Sequence, residues 1–141
     1  DGILVSQKVL LTWLIESEEI FHQIEKYITP EDFSEGLFRK VAELLYEQYE
    51  KHEANPAQIM NHFTDEEEHR EVAGLFHTKI KELTTVKEQE KALQETILRV
   101  KEHSIEEATK NLDPTDIQGL QRLMNEKRKM QDLRTLHISI N

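Results

Sequence analysis

The chain has no cysteine, which removes disulfides, thiolate nucleophiles and cysteine-ligated zinc. That composition fits a cytoplasmic setting. Glycine occurs four times and proline three times in 141 residues. There is no Gly-x-Gly-x-x-Gly or Gly-Lys-Ser/Thr loop to cradle phosphate, and no serine sits in a nucleophile elbow. The longest uncharged apolar run, residues 9–15, is broken by Thr12 and falls far short of the roughly 20 residues a membrane span needs. A secretory signal pattern is missing too. Bases are scarce, 18 against 28 acids. Phosphate neutralisation dominates nucleic-acid affinity, so direct duplex binding is not expected.

Aromatic residues are missing from the last 57 positions, while all nine lie between Trp13 and Phe76. The large side chains that dominate packed cores are therefore confined to the first part. That part is also the acidic one: residues 1–84 hold 18 acids and 8 bases, whereas residues 113–141 hold 4 and 5. The division predicts an all-α chain of two parts: a small helical-bundle head over residues 1–84 and a long helical hairpin over 85–141 that docks a partner. The chain opens on Asp1-Gly2 rather than methionine, which leads us to expect a segment of a longer protein with any catalytic domain upstream.

Thr29-Pro30, Asn55-Pro56 and Asp113-Pro114 each set a capping residue before proline, the signature of a helix or turn start. Between them the apolar spacing is helical and no period-two segment of useful length occurs. Leu4, Leu10 or Leu11, and Leu14 predict a first inward face, with Trp13 beside it. Ile20, Phe21, Ile24, Tyr27 and Ile28 form a second stripe. A third helix over 34–51, with Leu37, Phe38, Val41, Leu44, Leu45 and Tyr49 inward, is expected at the centre of the head. A short helix over 55–63 and another over 65–78, capped by Thr64, complete it. Residues 85–112 then carry a narrow stripe of Val86, Leu93, Ile97, Val100, Ala108 and Leu112. At 1.5 Å per residue such a helix is about 42 Å long and should protrude. Asp113 is the expected cap of the last helix, with Asp116 as the third residue of a capping box.

The last helix and its tail supply the candidate partner-binding residues Leu120, Leu123, Met124, Met130, Leu133, Leu136 and Ile138. Sequence does not divide these between the hairpin seam and the partner. Apolar character up to the terminus requires docking on some surface to prevent fraying, and a partner is the expected surface. Lys127-Arg128-Lys129 reads first as a solvated helix face, with phosphate or an acidic partner surface as the alternative. Glu66-Glu67-Glu68 reads as helix-dipole complementarity in a first turn rather than a cation site.

Glu-x-x-His occurs twice, as Glu19…His22 and Glu66…His69, the spacing of carboxylate-bridged metal bundles. With 22 glutamates and seven histidines in the chain, chance places about one such pair. Glu19 and His22 also fall opposite Ile20, Ile24 and Tyr27, so a solvated surface is expected. A metal-dependent helical-bundle enzyme using these four residues is the remote alternative; no catalytic residue, metal or cofactor is expected in this segment.

Leu10-Leu11-Thr12-Trp13-Leu14-Ile15, then Ile20-Phe21, Ile24 and Tyr27-Ile28-Thr29-Pro30-Glu31-Asp32-Phe33-Ser34, then Leu37-Phe38, Val41 and Leu44-Leu45, resemble the C-terminal helicase-interaction domain of bacterial DNA primase, of the Gram-positive bacillus type. The aromatic-free hairpin ending the chain fits the same pattern. The resemblance implies a non-catalytic module that docks on the N-terminal domains of the hexameric replicative helicase, brings primase to the fork, and modulates unwinding and RNA primer synthesis. The zinc-binding and nucleotidyl-transfer domains of the primase would lie upstream. It also implies that the hairpin supplies most of the docking affinity and the head transmits the stimulatory effect. The N-terminal domain of the replicative helicase is similar in both parts. Helicase heads generally carry a histidine in the helix after the Asp-Phe turn, and residues 34–51 have none. A self-associating helical domain is the remaining alternative.

Overall fold

The computed structural model describes residues 2–77 and 84–140. These residues are all-helical, with no strand among them. The order is α1 (Gly2–Glu16), α2 (Glu18–Ile24), a 3-10 turn (Pro30–Asp32), α3 (Leu37–Glu50), a 3-10 turn (Pro56–His62), α4 (Glu66–His77), α5 (Val86–Lys110) and α6 (Ile117–Thr135).

Helix α1 stands at the centre, in contact with α2, α3, α4 and α5. The sequence reading placed the third helix there. The difference follows from how apolar residues are distributed. Leu10, Leu11 and Leu14 are completely buried on adjoining faces, and the polar Gln7 and Thr12 are buried among them; a helix apolar on several sides must be surrounded. In α3 the buried residues Val41, Ala42, Leu45, Tyr46 and Tyr49 form one face, so it packs as an outer helix. Leu4, expected inward, is 43% exposed.

Buried polar groups on α1 are satisfied. Gln7 donates to the Ser34 hydroxyl at 2.8 Å and accepts from the Ser34 backbone N–H at 3.1 Å. Thr12 donates to the Lys8 carbonyl at 3.0 Å. Unpaired, such groups would each cost about 1–3 kcal/mol. The chain turns from α1 into α2 at Ser17, whose hydroxyl accepts from the Ile20 N–H. The corner seats Phe21 between Tyr46 and Tyr49, with ring centroids 4.8 Å away in each case.

Several local boundaries differ from expectation. The segment over 55–63 is a 3-10 helix from Pro56 to His62, with the tighter i to i+3 pairing, rather than an α-helix. Asp65 rather than Thr64 caps α4, its carboxylate accepting from the Glu68 N–H at 3.1 Å; Thr78, expected at the end of that helix, lies outside the described residues. Helix α3 starts later than residue 34, after Gly36 at φ +120°, where a side chain would strain the backbone. Arg39 holds the preceding turn by donating to the Phe33 carbonyl at 2.9 Å.

The aromatic-free part shares the core of the head. Leu93, Ile97 and Val100 of α5, Leu133 of α6 and Ile138 of the tail belong to one buried cluster with Leu10, Phe21 and Leu45. A separate small cluster, Ile105, Leu123 and Met130 with Leu112 against it, fills the far end of the α5–α6 pair. The expected protrusion is thus shortened, and Val86 and Ala108, assigned to the inward stripe, are exposed. Helices α5 and α6 run antiparallel: Gln94 donates to the carbonyls of Leu133, Arg134 and Leu136, and Lys101 bonds Glu126.

Candidate interaction surface

At the tip between α5 and α6, Asp113 does not cap a helix. Its carboxylate closes a local turn, accepting from the Thr115 N–H at 2.9 Å and hydroxyl at 2.8 Å. Those two donors hold its carboxyl below the ordinary range. The cap of α6 is Asp116, which accepts from the Gly119 N–H at 2.9 Å. Gly119 makes room for that cap and for the connecting loop: a Cβ there would lie 2.5 Å from the Asp116 carboxylate and 2.8 Å from Leu112.

Beyond the tip, α6 divides the candidate residues. Leu123, Met130 and Leu133 face inward at 7%, 8% and 1% exposure, and Leu136 is half-buried against the main core. Leu120 and Met124 face outward at 45% and 58% exposure, and Ile117 joins them at 69%. Spacings of three and four put these three side chains on one stripe of the helix. Ile138 is buried by the chain's own head. The tail lies along α2, where Gln23 donates to the Ser139 carbonyl at 2.8 Å and accepts from the Ser139 N–H at 2.9 Å. Ile140 donates its N–H to Glu90 at 3.0 Å. The chain itself covers the tail here, since Ile138 is buried in the cluster that holds Leu10, Phe21 and Leu45.

The junction of head and hairpin holds a group the sequence reading missed. Lys101 is fully buried, and its Nζ donates to the Tyr27 carbonyl at 2.8 Å, both Asp32 carboxylate oxygens at 3.2 Å and Glu126 Oε1 at 2.6 Å. Asp32 also accepts from the Ser104 hydroxyl at 2.7 Å and the Thr29 N–H at 2.9 Å. One ammonium thereby ties together the Pro30–Asp32 turn, α5 and α6. Burial pushes the Glu126 carboxyl upward, but hydrogen bonds from Lys101 and Lys129 outweigh it and the net displacement is downward. The signal was present in the sequence: Lys101 falls midway between Ile97 and Ile105, inside the apolar stripe of α5. Next to this network an open groove of about 570 Å³ lies between the turn and α5, lined by Glu31, Glu35, Arg39, His103 and Glu107 among others.

The residues of the metal reading are not brought together. Among the described residues no group of three or more His, Asp or Glu side chains is placed to hold a metal ion. Glu66 lies 3.8 Å from Arg70. His22 meets Glu25 at 3.2 Å and Glu18 at 3.1 Å rather than Glu19. The Glu25 hydrogen bond, together with Glu18, outweighs the opposing effect of burial and raises the His22 pKa above 6.5. These bonds therefore stabilise the fold fully below about pH 6.5 and lose their contribution as pH rises through the folded-state midpoint. An NMR titration of the His22 ring should give a midpoint above 6.5, moved downward by Glu25→Gln; an unmoved midpoint would refute the assignment.

No described helix is long and apolar enough to cross a membrane. No family model, curated protein or solved structure matches this chain.

Proposed function

We propose that this segment is a non-catalytic interaction module of the kind found at the C-terminus of bacterial DNA primase. It docks on the N-terminal ring of the hexameric replicative helicase, in the cytoplasm, and the polymerase chemistry belongs to domains upstream. The observation that supports this reading is the exposed stripe Ile117, Leu120 and Met124 on α6. Three large apolar side chains at helical spacing, held outward by a helix whose other face is packed, are what a helix offers to a partner's groove.

The test is sedimentation of the chain with the cognate hexameric helicase. The intact chain should co-migrate, and Leu120→Glu/Met124→Glu should abolish co-migration while far-UV circular dichroism and melting stay unchanged, since both side chains are exposed. Ending the chain at Leu112 is a poorer probe, because it takes Leu133 and Ile138 out of the core and would unfold the head. Absence of co-migration by the intact chain would refute the proposal.

A further inference from the structure

The surface around the stripe is unlike the rest of the molecule in charge. Residues 117–131 contain four bases and one acid, in a chain of net charge −10. The one acid, Glu126, is turned inward to Lys101 at 2.6 Å and Lys129 at 3.0 Å. Lys127 and Arg128 are exposed and, among the described residues, form no ion pair. At 100° per residue, Ile117, Met124 and Arg128 fall within about 40° of one another on the outer side of α6, with Leu120 and Lys127 along one border. The outer face is therefore apolar over its first two turns and basic over the next.

We propose that this face recognises an apolar groove edged by carboxylates on the partner protein. This deepens the helicase-docking reading and rests on it. Ile117, Leu120 and Met124 are the anchors, since desolvated apolar side chains at the centre of a contact carry most binding energy. Lys127 and Arg128 pair with the acidic edge, adding selectivity and a faster encounter. The remainder of the chain, being acidic, repels such a partner, so only the outer face of α6 can approach it and the docking orientation is set before contact. A polyanion fits less well: two free bases are few for a row of phosphates, and three apolar side chains would remain in water.

The experiment compares full-length chains binding the helicase hexamer at about 50 mM and 500 mM salt, where screening lengths differ roughly threefold. Lys127→Glu/Arg128→Glu should weaken binding about tenfold or more at low salt and flatten the salt dependence. Lys40→Glu/Lys91→Glu, an equal charge change at exposed sites elsewhere, should stay within about twofold of the unmodified chain. If the charge reversal binds like the unmodified chain while Leu120→Glu/Met124→Glu does not, the acidic edge is disproved and helicase docking stands. If the unmodified chain does not bind the hexamer, both readings fall. Dimerisation in sedimentation equilibrium that Met124→Glu removes, or retention on duplex DNA that Lys127→Glu/Arg128→Glu removes, would overturn the inference in favour of a second copy or a polyanion.

Discussion

Lys101→Ala should lower unfolding free energy by about 3–5 kcal/mol, the cost of removing one member of a buried ion pair. The magnitude follows from what is left behind. Asp32 is 3% exposed and would be left with only the Ser104 hydroxyl and Thr29 N–H as donors. The Tyr27 carbonyl would lose its 2.8 Å partner, and Glu126 its 2.6 Å one. A lysine ammonium has three donors, and here three acceptor groups from different parts of the chain use them. Urea denaturation followed by circular dichroism measures the effect. Lys101→Met combined with Asp32→Asn should recover part of the loss, since it removes both charges and fills the space, and the two changes should be strongly non-additive. A single variant within about 1 kcal/mol of the unmodified chain would mean that water reaches the site and the network holds little.

Phe21→Ala should cost a similar amount, about 3–5 kcal/mol, by transfer and cavity formation. Phe21 is 1% exposed, with Tyr46 at 87° and Tyr49 at 48° to its ring. The size of such a loss depends on whether neighbours collapse into the hole, and here they are held. Tyr46 donates to the Ile28 carbonyl at 2.7 Å and Tyr49 to the Leu14 carbonyl at 2.6 Å. Burial, and to a lesser degree the Glu18 charge, push the Tyr49 phenol up to about 12; burial first, then nearby carboxylates, raise Tyr46 further. Both phenols remain protonated donors across the neutral range, so the cavity persists. Met124→Ala, at 58% exposure, should by contrast move stability by no more than about 0.5 kcal/mol. Equal effects of the two variants in the same denaturation assay would contradict the placement of Phe21 in the core.

These predictions separate stability from docking along α6. Substitutions at Leu133 or Ile138 should act through unfolding, because both side chains complete the head's core. Substitutions at Leu120, Met124, Lys127 or Arg128 should act through binding. The tail is tied to α2 at Gln23 and to α5 at Glu90, so the helix that carries the outer face is fixed at both ends. At one end are the Asp116 cap and the close approach at Gly119; at the other is the seam with Gln94.

Sequence by itself determined the helical class and the turn starts at Thr29-Pro30 and Asn55-Pro56, where 3-10 helices begin at Pro30 and Pro56. Each of these depends on groups within a few residues of one another: 3.6-residue periodicity, and a proline whose fixed φ and missing N–H suit the first position after a capping residue. It also marked Leu120, Leu123, Met124, Met130, Leu133, Leu136 and Ile138 as apolar positions needing cover. Tertiary structure alone decided what covers them. Periodicity states that a face is buried and is silent on the partner, so Leu123 and Met124, adjacent and equally apolar, end on opposite sides. The same limit hid the central place of α1 and the shared core across residue 84. Lys101 shows the reason most directly, since a lysine inside an apolar stripe is tolerated only because Asp32, Tyr27 and Glu126 arrive from distant parts of the chain to bind it.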